Sequence, residues 1–174
     1  QLHQLGWVFG DLKPENLIIQ WPEQRVRFID VGGTTQQGRA VKEYTEYFDR
    51  GYWGLGGRKA EPSYDLFSLA MVMLTAAYGK RVPKAEGGLK ELGERVKARK
   101  ELAVIEPVLM KAFAGKYASA REMKQELADT IHRKSGAYHR PVPVKTSRML
   151  IRKVKWGQKK SGRMAETLFL ILLV

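Results

Sequence analysis

The chain has 174 residues, 44% hydrophobic and 28% charged, enough for one well-buried domain with an appendage and against wholesale disorder. It has no cysteine, which excludes disulfide frameworks and thiolate metal sites, and its three histidines (His3, His132, His139) lie far apart and suggest no metal cluster. The net charge of +13 is concentrated: residues 1–129 hold 20 Lys/Arg against 17 Asp/Glu, while residues 130–165 hold 11 Lys/Arg and no acid.

In chain order, FGDLKPEN (9–16) is followed by LIIQWPEQRVRFID (17–30), two short β-type runs around a WPEQ turn that predict a hairpin. Residues 31–63 are rich in glycine and polar groups without a sustained period, so a long loop is expected; loops of that length inside a domain are usually functional or disordered. Ser63 is placed to cap a helix through SYDLFSLAMVMLTAAYG, with Leu66, Leu69, Met73 and Ala76 at helical spacing and Gly79 as its end. Apolar residues run almost all round it, which predicts a central, buried helix. GLKELGERVKARKEL (88–102) reads as one amphipathic helix with Leu89, Leu92, Val96 and Leu102 inward. IEPVLMKAFAG (105–115) predicts a short helix with Pro107 in its first turn and Gly115 at its end. SAREMKQELADTIHR (119–133) opens on a capping box, Ser119 with Glu122, and buries Met123, Leu127 and Ile131. The expected fold is mainly α with a small β-hairpin, over residues 1–133. A basic segment follows at 134–166, opening on the linker-like KSGAYHRPVPVKTS, and 167–174 ends the chain in LFLILLV.

Moving a phosphoryl group from a nucleotide to a hydroxyl makes four demands. A carboxylate must orient the hydroxyl and take its proton, and a second acid must hold a metal that bridges the phosphates. A cation must steady the moving charge, and a neutral oxygen can complete a second metal site. Asp11, Asp30, Lys13 and Asn16 supply these functions from two loops at the ends of one hairpin. A surface loop in which Asp11 and Lys13 merely pair as solvated ions, worth about 0–1 kcal/mol, is the plainer alternative; it does not account for the ordered set.

DLKPEN, a hairpin and then DVG resemble the catalytic loop and metal-binding turn of the eukaryotic-like (Hanks-type) Ser/Thr protein kinases, and the SYDLFSLA helix resembles that family's central C-lobe helix. The resemblance runs over residues 1–131 and implies a protein-kinase-like C-terminal lobe without its N-lobe. It implies ATP and Mg²⁺ as cofactors, protein hydroxyls as acceptors, Asp11 as catalytic base and Lys13 beside the transferred group. Asn16 and Asp30 become the Mg²⁺ ligands. Asp65 matches the buried helix Asp that hydrogen-bonds the catalytic-loop backbone, a positional role; a simple charge at a helix N-terminus is the other reading of it.

There are departures. Phe9-Gly10 stand where the family has His-Arg, so a phosphorylated activation loop finds no arginine there, and Val31 replaces a Phe. RGYWGLGG (50–57) aligns with the end of the activation segment, with Gly56 in place of the family's Glu, and the later loop AGKYA (114–118) lacks the partner Arg. Losing both partners of a buried ion pair together is tolerable where losing one is not, and a more mobile segment is expected. The N-lobe's Gly-rich turn, Lys and Glu do not occur, so the fragment is expected to be inactive and its parent active. A catalytically dead kinase-like scaffold, docking on membrane or DNA, is the alternative; a kinase-fold enzyme acting on small molecules is a third reading.

Arg148, Arg152, Lys153, Lys155, Lys159, Lys160 and Arg163 lead into the final apolar run. That run is shorter than the about 20 residues a spanning helix needs, but with Gln1 as first residue it reads as the start of a truncated C-terminal anchor on a fragment; an arbitrary apolar end is the alternative. The positive-inside rule then places the chain on the cytoplasmic face of the membrane. Anionic lipid, duplex DNA or no partner at all are the three readings of the basic segment. Membrane-anchored kinases of spore-forming bacteria resemble this layout, and the resemblance implies DNA as an activating ligand.

Overall fold

A helix with apolar residues on nearly every side can be satisfied only at the centre of a fold, and that is where α1 (Pro62–Tyr78) lies in the computed structural model. The structure describes residues 1–20, 22–23, 25–84 and 86–136. Thirteen of the seventeen α1 residues are buried, with Phe67, Met71 and Leu74 wholly enclosed. Pro62 occupies the first turn, where its missing N–H costs nothing, and Gly79 ends the helix in the left-handed conformation at φ 67°. Ser63 is therefore not the cap. Proline fixes the helix start one residue ahead of it, and the Ser63 hydroxyl instead accepts a hydrogen bond from Arg50 Nη1 at 2.9 Å.

The stretch 88–102 also differs from the single helix expected. It forms α2 (Gly88–Lys97) and α3 (Lys100–Ala103), separated by an extended Arg99 at φ −113°, ψ 118°. In an unbroken helix Leu102 would sit about 120° around the axis from Val96. The break re-aims it, and Leu92, Val96 and Leu102 all reach the core. α4 (Glu106–Phe113) carries Pro107 in its first turn and is followed by Gly115 at φ 65°. α5 (Ala120–Gly136) starts after Ser119, whose hydroxyl accepts the Glu122 N–H, and runs three residues beyond the expected end, into the expected linker. The rest of the basic segment, including Arg148 to Arg163, and the apolar run 168–174 lie outside the described residues. Among the described residues no helix is long and apolar enough to cross a membrane.

Two small antiparallel sheets flank the helices. β1 (Trp7–Val8) pairs with β4 (Thr35–Gln36), and β2 (Leu17–Gln20) with β3 (Arg25–Phe28) in the register Leu17↔Phe28 through Gln20↔Arg25. Residues 31–63 are more ordered than a structureless loop. They hold β4, two 3-10 turns (Val31–Gly33 and Glu46–Phe48) and an antiparallel bridge between Ala40 and Lys59. Backbone bonds stitch the stretch to itself and to its neighbours: Gln37 N–H to Gly6 O at 2.8 Å, Ala60 N–H to Arg39 O at 2.7 Å and Val41 N–H to Arg58 O at 2.8 Å. The main core gathers α1 to α5 and the Glu46–Phe48 turn; a smaller cluster of Val8, Val41, Ala60 and Tyr64 lies beneath the bridge.

Candidate active site

The segment before Asp11 is held from below by α1. Asp65, nearly buried in the first turn of α1, accepts hydrogen bonds from Phe9 N–H at 2.8 Å and Gly10 N–H at 2.9 Å, and its Oδ2 lies 2.8 Å from His3 Nε2. Gly10 then turns the chain at φ 86°, and a Cβ there would fall 3.0 Å from Gly33 O and 3.2 Å from Val41 Cγ1. Glycine is needed twice over, for the angle and for the close approach. The result is that residues 9–16 press directly against the Val31–Gly33 turn and the strand-like stretch through Val41.

On that support the polar side chains converge. Lys13 Nζ donates to Asp11 Oδ2 at 2.5 Å and to Thr45 Oγ1 at 3.2 Å, while the Thr45 hydroxyl donates to Asp11 Oδ1 at 2.8 Å. Asn16, buried in the Pro14–Asn16 turn, donates its amide to Asp11 O at 2.9 Å. Asp30 comes from the far end of the hairpin. Its carboxylate flanks Gly32, 3.5 Å from where a Cβ would stand, and the next glycine, Gly33, has its own Cβ position 3.6 Å from Asp11 Cβ. Asp11 and Asp30 thus border the same glycine turn. Asp30 is exposed and is the sole non-glycine residue with positive φ among the described residues, at 57°. Side chains held in that region mark places where surrounding structure over-determines the backbone.

Neither the Asp30 carboxylate nor Asn16 Oδ1 accepts a hydrogen bond from a described residue. Those are free hard-oxygen donors beside a carboxylate whose own oxygens are engaged by an ammonium and a hydroxyl. Among the described residues, no three His, Cys, Asp or Glu side chains gather into a metal cage. Arg148, Arg152, Lys153, Lys155, Lys159, Lys160 and Arg163 lie outside the described residues, so the structure places none of them here.

The stretch 49–61, where a more mobile segment lacking the family's Glu–Arg pair is expected, holds ion pairs of its own. Asp49 is fully buried, yet its carboxylate is filled by Gly51 N–H, Tyr52 N–H, Arg58 Nε at 2.8 Å and the Tyr64 hydroxyl at 3.0 Å. Burial, reinforced by the Asp49 charge, pushes the Tyr64 hydroxyl far above its ordinary range, so it remains a donor. Arg50 donates to Gly57 O, Ser63 Oγ and Glu61 Oε1, and its guanidinium fills the space that a side chain at Gly56 would need, with Cδ 3.0 Å from that Cβ position. Local acid–arginine pairs anchor the segment, and none of their members was singled out by sequence. The sequence assigns Thr45 no part in the site and marks His3 only as one of three scattered histidines. Their partners are 34 and 62 residues away, a separation that leaves no local signal.

No family model matches the chain. A serine/threonine-protein kinase of Bacillus subtilis (strain 168), YabT, is 44% identical over 166 residues, which are 95% of this chain and 48% of that protein. The chain therefore spans about half the length of the relative it matches. Identity at this level, sustained over nearly the whole chain, agrees with the resemblance that DLKPEN and DVGG carry to the Hanks-type serine/threonine protein kinases.

Proposed function

We propose that the chain is the C-terminal lobe of a kinase that transfers the γ-phosphoryl group of ATP to serine or threonine hydroxyls of proteins. One observation carries the reading: Asp11, held by Lys13 and Thr45, borders the same glycine turn as Asp30. The Thr45 hydroxyl 2.8 Å from Asp11 Oδ1 is the geometry by which that carboxylate would orient an acceptor hydroxyl and take its proton. Lys13 is near enough to the same oxygens to balance charge developing on a transferred group. Asn16 Oδ1 and the Asp30 carboxylate fit a magnesium ion, which needs one or two protein oxygens when phosphates and water supply the rest. Bound Mg²⁺–ATP would bring the electrophilic phosphorus; the protein's part is positioning and electrostatics.

Asp11→Asn in the full-length protein tests this. The rate of phosphoryl transfer to protein should fall by about 10²–10⁴, with nucleotide affinity changed little; transfer at the unaltered rate would remove Asp11 as base. A catalytically dead scaffold is the second reading, favoured by Gly10 in place of a basic residue, and under it the same substitution changes nothing because there is no transfer to lose.

For the basic segment the sequence alone supports duplex DNA or anionic lipid as partner, at the cytoplasmic face of a membrane. Titrating a duplex oligonucleotide against the full-length protein at several salt concentrations checks it. Affinity should fall steeply as salt rises, since each neutralised phosphate releases counterions; no binding at low salt would exclude the nucleic-acid half.

A further inference from the structure

Residues 38–42 and 58–60 form a narrow antiparallel ribbon, with Ala40 opposite Lys59. One of its faces is settled: Val41 and Ala60 are buried with Val8 and Tyr64. Strand alternation then puts Lys42 and Lys59 on the other face, on either side of the small Ala40. Both lysines are exposed, as is Arg39 at the ribbon's start.

Their charge is uncompensated. Among the described residues the side chains of Arg39, Lys42 and Lys59 make no ion pair or hydrogen bond. None of the nearby acids pairs with these three side chains among the described residues. Asp49 holds Arg58, Glu61 binds Arg50, and Glu43 turns to the glycine turn, with Oε2 3.8 Å from the Cβ position of Gly32. Arg58 is further fixed over the Tyr44 ring at 4.3 Å. The ribbon also adjoins the Asp11 site: Val41 meets Gly10, and Lys42 precedes Thr45 by three residues, about 10 Å of extended chain.

We propose that Lys42 and Lys59 dock an acidic stretch of the protein substrate a few residues from the hydroxyl presented to Asp11. The proposal rests on the kinase reading and names its substrate class. Diagonal neighbours across an antiparallel pair stand about 7–8 Å apart. Carboxylates two residues apart on an extended peptide are spaced by nearly the same length, about 6.5–7 Å. Exposed ammonium groups give modest, salt-sensitive binding, so the effect belongs in KM.

The test uses the full-length kinase and two peptides with one acceptor serine, identical except that two flanking Asp residues in one are Asn in the other. Both kcat/KM and nucleotide-free affinity by fluorescence anisotropy are measured. The acidic peptide should be favoured about fivefold, the worth of two exposed ion pairs, with the difference in KM and lost at high salt. Lys42→Ala with Lys59→Ala should bring the ratio toward one, and Lys42→Arg with Lys59→Arg should keep it. A ratio of one in the unaltered protein overturns the proposal. So does a preference that survives the double alanine variant, or a double variant whose only loss is affinity for a duplex oligonucleotide. If neither peptide is phosphorylated the kinase reading fails, and anisotropy still decides the docking: equal affinities refute it, a fivefold difference in favour of the acidic peptide sustains it.

Discussion

Gly10 shows how a single missing side chain shapes the site. Its φ of 86° lies where an L side chain is strained, and its Cβ position is 3.0 Å from the carbonyl of Gly33, a backbone atom with little room to move. Gly10→Ala should therefore destabilise the full-length protein by about 1–3 kcal/mol, read as a lower urea midpoint with an unchanged slope, and it should slow phosphoryl transfer by parting the Asp11 loop from the Asp30 turn. Stability equal to the unaltered protein would show that the approach is slack. The sequence marks Asp11, Lys13 and Asn16 because they share eight residues, and the structure brings them into hydrogen-bond contact. Thr45 was beyond that reach. A hydroxyl becomes part of a site by where the chain returns, and nothing in TEYF announces a bond to a residue 34 positions earlier.

At the scale of elements, legibility follows how local the stabilising contacts are. α1, α4 and α5 are written in their own residues: apolar spacing, proline in the first turn of α1 and α4, glycine after the end, serine before the start of α5. The break at Arg99 is not, because it exists to turn Leu102 toward a core supplied by other helices. The order of 31–63 comes from Asp49, Arg50 and backbone pairs such as Val41 with Arg58, none of them periodic. The start of α5 yields a pH prediction. Glu122 is held below its ordinary pKa of 4.5, first by the hydrogen bond from Lys111 and then by the Ala118 N–H. Lys111, bonded to Glu126 and Glu122, is held above its ordinary 10.5. A carboxylate depressed on folding adds stability that is complete above 4.5 and fades as pH falls through the lower folded value; the raised lysine adds stability that is lost only as pH climbs past 10.5. Glu122→Gln should thus lower the urea midpoint near neutrality and match the unaltered protein in acid. A gap of constant size at every pH would mean the effect is packing, not charge.

Across the whole molecule the apolar surface is unevenly hidden. The helical side encloses Phe67, Met71, Leu109 and Phe113 completely, whereas the sheet side leaves Phe28 55% and Val31 65% exposed, with Trp7 and Ile29 near 40%. These residues lie on segments that meet where the Phe9 and Phe28 rings touch at 5.3 Å between centroids. Large apolar side chains scattered singly on a surface need no explanation, but a group of them beside the Asp11 and Asp30 turn does. On the proposed kinase reading a second lobe covers this edge in the full-length protein and closes the nucleotide cleft above the turn. The substitution Val31→Ser separates the cases. Against a covering lobe it removes buried apolar area and should cost about 1–2 kcal/mol, with weaker nucleotide binding; on an open surface its effect should stay within about 0.5 kcal/mol. Urea unfolding of the full-length protein, with and without Mg²⁺–ATP, measures both quantities. A negligible change in each would leave the edge open to water and the two-lobed reading without its contact.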